Sequence, residues 1–396
     1  DLRVRVAEMA HGNPLFTEEL VRMFIDQGVL QSRDGVWRLV GPVTDLAVPS
    51  SVQAVLSARL DELDAEEKRV AQEASVVGRI FWDVIVAHLR DRSAEEVTEA
   101  LRGMRVKELV TPRVPSTMAG AAEWSFHHVL LRDVAYESLP KADRGALHLQ
   151  VARWAEAQLA DRIDEFAELI ASHTVAALSY HEELIAHGDD TMMLELRKRT
   201  MVASERAALR AGLVQDRQAA RRWQLLAIEQ ARRLDRPALE RARLAQGFFD
   251  LTGHELDARE RVTVFSEASA LLEPIDITDQ PSRELWGLLR AYLGQAMFED
   301  SRRAEAEELL AATSETLAPS APSAARAKVL QTLSWARWHD FAFEPAIEAA
   351  TAAMEEARVT GADEVYRWAL HEAGVIAGFE GDPALGLERL QESHDL

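Results

Sequence analysis

The sequence contains no cysteine, which excludes a disulfide frame, thiolate catalysis and a cysteine zinc site. That composition suits a reducing cytoplasm, where the protein is expected to act. No apolar run approaches the about 18 residues that a membrane-spanning helix requires, so no membrane partner is expected. Basic charge is in short supply: 45 lysines and arginines face 66 acids, for a net charge of −21. A surface of that sign repels DNA and anionic lipid, leaving only a local basic patch as a route to nucleic acid. No Gly-Lys dipeptide occurs anywhere, so the chain has no G-x-x-x-x-G-K-[ST] phosphate loop. Serines, histidines and aspartates are scattered without a nucleophile elbow, and no hydrolytic constellation stands out.

What is present is helix. "HGNPLFTEELV" (11–21) reads as a helix start. Asn13 can cap it, and Pro14 fits the first helical position, where its missing N–H costs nothing. Leu15, Phe16, Leu20, Val21 and Phe24 supply the apolar stripe. "GVWRLV" (35–40) is a short strand, and residues 41–49 are a linker. Three helices then begin at possible capping boxes, Ser50 with Gln53, Asp64 with Glu67, and Ser93 with Glu96. Two strand-like runs, "LVTPRV" and "EWSFHH", surround a turn, and the helix "VLLRDVAYESL" ends near Pro140. Helix, helix, helix and hairpin is the order of a winged helix. Beyond residue 141 the pattern is helix after helix, with no strand. "FEDSRRAEAEELLAA", "FAFEPAIEAATAAMEEA" and "FEGDPALGLERLQES" resemble one another at roughly 40-residue spacing, the period of two-helix solenoid repeats. In each, an aromatic at the turn is expected to pack on the next hairpin; Phe341 is one such residue.

The segments "GNPLFTEELVRMFIDQGVL", "VPSSVQAVLSARLDELDAEEKRVAQEASVVGRIF" and "FHHVLLRDVAYESLP", in this order and spacing, resemble the middle and C-terminal parts of bacterial STAND-type signalling ATPases. The likeness is to those that join an adenylate/guanylate cyclase domain to an AAA-like ATPase module and a tetratricopeptide tail, and to related LuxR-type regulators. It covers roughly residues 10–140. The resemblance implies that Gly12, Asn13 and Pro14 match a Gly-x-Pro motif whose proline lies against the adenine of ATP or ADP. It also implies that a winged-helix histidine reaches the phosphates. His128 matches best, with His127 beside it where arginine is common, and the choice between the two stays open. By this resemblance the chain begins just after the ATPase core, and it stops without a polar capping repeat, as a truncated solenoid would.

The expected fold is therefore mainly α, a winged helix followed by a solenoid of tetratricopeptide-like helical hairpins. The expected domains are a nucleotide-module remnant (1–45), a winged helix (46–140) and helical repeats (141–396). The expected role is regulatory. The repeats would dock a protein partner or small effector, and the output would come from a cyclase or transcription domain of a longer parent. ATP or ADP would bind the parent, which could form homo-oligomers; no cofactor is expected for this chain alone. A nucleotide-independent scaffold is the alternative. A weaker one is a DNA-binding regulator using Arg102, Arg105 and Lys107. Adjacent histidines are expected to diverge, so no metal is assigned to His127 and His128. Arg132 and Asp133 read as a local charge pair, and Trp335 and Trp338 as core.

Overall fold

The computed structural model describes Val6, Gly28 and residues 14–26, 30–33, 36–40, 51–89, 92–184, 191–252 and 257–396. The chain separates into two compact units, Asp1–Leu196 and Arg197–Leu396.

In the first unit, helix α1 (Pro14–Asp26) begins at the proline expected to open it. Phe16, Leu20, Met23 and Phe24 recur at helical spacing and bury one face against Val6 and Val55. The hairpin β1 (Leu30–Arg33) and β2 (Val36–Leu39) follows. Only β2 was expected, because "LQSR" offers no β-branched or aromatic residue.

Helices α2 (Val52–Asp61), α3 (Ala65–Val77), α4 (Asp83–Leu89) and α5 (Ala94–Val106) come next. The capping boxes of α3 and α5 form as expected: Asp64 accepts from the Glu67 N–H at 2.8 Å, and Ser93 from that of Glu96 at 3.2 Å. The cap of α2 is Ser51, which accepts from the Ala54 N–H at 3.2 Å. Ser50 lies outside the described residues, and Gln53 bonds Glu137 instead. The hairpin β4 (Val110–Arg113) and β5 (Glu123–Phe126) is present, and an unforeseen strand β3 (Ile80–Trp82) pairs with its β5 edge, giving the order β3-β5-β4. Phe81 and Phe126 bury the sheet's inner face, ring centroids 5.3 Å apart. Helices α6 (Val129–Glu137), α7 (Lys141–Gln158) and α8 (Ala167–Leu184) complete the unit, and α7 packs on α3 and α4.

Helix α9 (Thr191–Leu213) spans the division between the units. The second unit continues as α10 (Arg217–Arg233), α11 (Ala238–Thr252), α12 (Ala258–Ala270), α13 (Gln280–Glu299), α14 (Arg303–Leu317), α15 (Ala324–His339), α16 (Phe343–Thr360), α17 (Asp363–Phe379) and α18 (Pro383–Asp395). Among the described residues no strand follows β5, and no helix is long and apolar enough to cross a membrane. The fold is mainly α, with tetratricopeptide-like hairpins. The repeat is visible in the backbone itself. The turns inside the last three hairpins each carry one left-handed residue, Ser301 (φ 67°), Phe341 (φ 61°) and Gly381 (φ 95°), forty positions apart.

Small residues let paired helices close. A Cβ on Gly294 would meet Leu310 of α14 at 2.6 Å, and one on Gly386 would meet the Gly374 carbonyl at 2.9 Å. The arginines of "RQAARRW" and "QARRLDR" are largely spent in pairs, Arg221 with Glu260, Arg232 and Arg233 with Glu229, and Arg236 with Glu240.

The expectation for Phe341 is overturned. Phe341 does not pack on the next hairpin; it is 75% exposed, because the turn's left-handed residue points outward. A bulky side chain at positive φ stores strain of about 1 kcal/mol. Phe341→Gly is therefore expected to raise the unfolding free energy by up to about 1 kcal/mol, and Phe341→Ala to leave it nearly unchanged. A denaturant midpoint that falls in both variants would contradict this geometry.

Candidate functional sites

Among the described residues, candidate sites are found around His128 in the first unit and in a groove of the second. Gly12 and Asn13 lie outside the described residues, and Pro14 is exposed at the start of α1. His128 sits where β5 has ended and α6 begins, as the N-cap residue, but its side chain makes no capping bond. Its Nε2 is buried and unpartnered, 3.7 Å from Glu19 and 3.9 Å from Glu18. Burial lowers its pKa and the neighbouring His127 lowers it further, against the opposing charges of Glu19 and Glu18. Glu19 is almost wholly buried and pairs with Arg59, which also donates to the Lys107 carbonyl at 2.7 Å. Glu18 pairs with Arg22 at 3.0 Å, and Arg22 reaches Glu108 as well.

His127 and His128 do not diverge as expected. Their rings stand at 85° with centroids 4.5 Å apart. One donor atom from each lies within 4.8 Å of the other and of a Glu18 oxygen. Such a triad has the donor types of a divalent metal site, although Arg22 beside it opposes added positive charge. Elsewhere in this unit Arg132 pairs with Asp133 at 3.0 Å, as read. Of the basic residues offered for DNA, Arg102 lies 3.5 Å from Glu99 and Lys107 is paired with Glu67, which withdraws charge from a groove-reading face.

The second place is a groove in the repeat unit. A cavity of about 660 Å³ is lined from α11, α13, α15 and α17 only, the first helices of successive hairpins. A second cavity of about 490 Å³ shares Phe249, Lys328, Glu364 and Trp368 with it, so the two form one groove. The lining residues recur every three or four positions along each helix, Glu364, Trp368 and Glu372 on α17 being the clearest stripe. Phe249 and Tyr292 stack at 4.0 Å. Asp250 accepts from the Tyr292 hydroxyl at 3.3 Å, and burial, helped by Glu364, holds its carboxyl above the ordinary range. Burial pushes Glu372 up to about 8, against hydrogen bonds from Gln331 and Ser334. Lys328 is lowered by burial and donates to Gln331 at 2.7 Å. Trp335, read as core, has a double role: it packs on Phe298 and lines this groove.

No family model matches the chain, and no curated protein matches it. Among solved structures it is similar to the crystal structure of the Signal Transduction ATPase with Numerous Domains (STAND) protein with a tetratricopeptide repeat sensor from Pyrococcus horikoshii. That alignment covers 98% of this chain and 68% of the other at 12% identity, with a TM-score of 0.29.

Proposed function

We propose that the chain is the regulatory, sensor part of an ATP-dependent signalling switch acting in the cytoplasm. Its helical repeats dock a partner or effector, and a separate cyclase or transcription domain carries the output. The observation that supports docking is the groove, which runs over the first helices of four successive hairpins and carries both aromatic and ionisable side chains. In this reading residues 46–140 are a winged helix, Pro14 meets the adenine base, and His128 meets the phosphates. The unpartnered His128 Nε2 supports a role for that atom.

The carboxylates of Glu18 and Glu19 face that same atom. A phosphate reaches it only if α1 moves away, and no phosphate loop is present to supply the remaining contacts. These carboxylates favour a second reading, a scaffold that uses no nucleotide. Calorimetric titration of this chain with ATP and ADP is therefore expected to show no binding tighter than about 1 mM, or −4 kcal/mol. Micromolar binding would overturn the placement of the chain outside the ATPase core. In the full-length protein, His128→Ala should raise basal output and weaken nucleotide retention. A variant that changes neither leaves the scaffold reading in possession.

A further inference from the structure

We propose that the groove of the repeat unit takes a lysine or arginine side chain from an extended segment of a protein partner. Its charge is answered by Asp250 and Glu364, and its stem lies on Phe249 and Trp368. This names the partner chemistry for the docking reading above and rests on it.

The charge balance of the lining selects the sign. Five carboxylates line the two lobes, against Arg243 and Lys328. Three are already answered: Glu299 by Arg261, Glu372 by Gln331, and Glu284 by the Ala325 N–H at 2.9 Å. Glu364 forms no ion pair among the described residues. Asp250 has hydrogen bonds from Tyr292 and Gln246 but pairs with no cation among the described residues. Lys328 answers them only in part: Glu372 and Glu364 act on its charge, but burial lowers it, its ammonium donates to Gln331 at 2.7 Å, and among the described residues neither it nor Arg243 forms an ion pair with Asp250 or Glu364. An anionic or phosphorylated ligand would meet two unpaired carboxylates; a cationic one relieves their mutual repulsion.

The aromatic lining selects the shape of the cation. Trp368 is 46% exposed in a protein where most large rings are covered. Arg367 already lies 5.6 Å from its ring centre, so a guanidinium is tolerated at this indole. A lysine or arginine side chain offers a hydrocarbon stem for the rings and a charged head for the acids, which a compact inorganic cation lacks. The groove is open and crosses four helices, a length that suits a chain segment better than a single small amine.

The test is fluorescence anisotropy near physiological salt, using a labelled short peptide of alternating lysine and alanine and its glutamine and glutamate counterparts. The lysine peptide should bind best. Glu364→Gln and Trp368→Ala should each weaken it about tenfold, with thermal midpoints confirming that both variants remain folded. Glu388→Gln removes the same charge from exposed α18, outside the groove, and should change affinity by less than twofold. Equal loss in Glu388→Gln would mean diffuse attraction to an acidic protein and would overturn the proposal. If the glutamine or glutamate peptide binds as tightly and Trp368→Ala weakens it, the cationic chemistry falls while docking in the groove stands. If no peptide responds to Trp368→Ala, both fall.

Discussion

Phe298→Ala is expected to cost about 3–5 kcal/mol of unfolding free energy, the range for emptying a buried aromatic site. Phe298 is the turn aromatic that does what its repeat position implies. Its ring is 7% exposed, lies 4.8 Å from Trp335 and 6.0 Å from His339 on the next hairpin, and carries the Arg303 guanidinium over its outer face at 4.8 Å. The ring therefore joins α13 to α15, and its loss strikes an interface between repeats as well as one helix. In a linear array each hairpin touches mainly its neighbours, so stability approximates a sum of unit and interface terms. Hydrogen exchange should accelerate most in residues 280–360 and fade toward α10. A loss below about 1 kcal/mol would mean the site collapses around the gap. Uniform acceleration through α10 would mean that the unit melts as one cooperative block, contrary to a repeat array.

The contrast between Phe298 and Phe341 shows where sequence reading ends. Both are phenylalanines that open similar sequence segments, and the roughly forty-residue period was legible, but in the backbone period Phe341 corresponds to Ser301 and not to Phe298. Which ring is buried depends on a backbone dihedral: Phe298 lies on the last helical turn, whereas Phe341 occupies the left-handed turn position that Ser301 and Gly381 fill in the neighbouring hairpins. The caps at Asp64 and Ser93 were legible because a capping bond joins residues three apart. Strand β3 was not, since three residues become a strand only by pairing with β5, some forty positions later. His128 was singled out as a site residue, but the convergence of His127, His128 and Glu18 required the change from strand to helix at the α6 cap, together with the placing of α1. The groove escaped altogether. Glu364, Trp368 and Glu372 read as an ordinary surface stripe until α11, α13, α15 and α17 are known to line one cavity.

The first unit should lose stability steeply as pH falls below about 6.5, and two buried histidines should account for much of the loss. Tyr180 and Tyr136 hydroxyls meet at 2.9 Å, Tyr136 meets His148 Nε2 at 2.8 Å, and His148 Nδ1 meets His173 Nδ1 at 2.7 Å. The last contact needs one nitrogen to donate and the other to accept, which both neutral rings can satisfy. With Tyr136 donating to His148 Nε2, a further proton on His173 Nδ1 would set two N–H groups face to face, and one on His148 Nε2 would displace the Tyr136 donor, near Arg132 and Arg144. Burial, then His173 and these arginines, lower His148 to about 3. Burial is also the main cause that lowers His173 to about 4. In the unfolded chain each histidine titrates near 6.5. Folded-state pKa values below the unfolded one give stability that is complete above pH 6.5 and is lost as pH falls toward 4. The slope reaches about 1.4 kcal/mol per pH unit for each histidine, although the pair titrates as a coupled unit. Denaturant unfolding at pH 7, 6 and 5 should therefore show the wild type losing about 2–4 kcal/mol more than a His148→Phe/His173→Leu double variant over that interval. The double variant should start lower at pH 7, because Tyr136 loses its acceptor. Tyr136→Phe keeps both histidines and should keep the wild-type slope. Parallel pH curves for wild type and double variant would assign the acid sensitivity to other groups and remove this pair from the account.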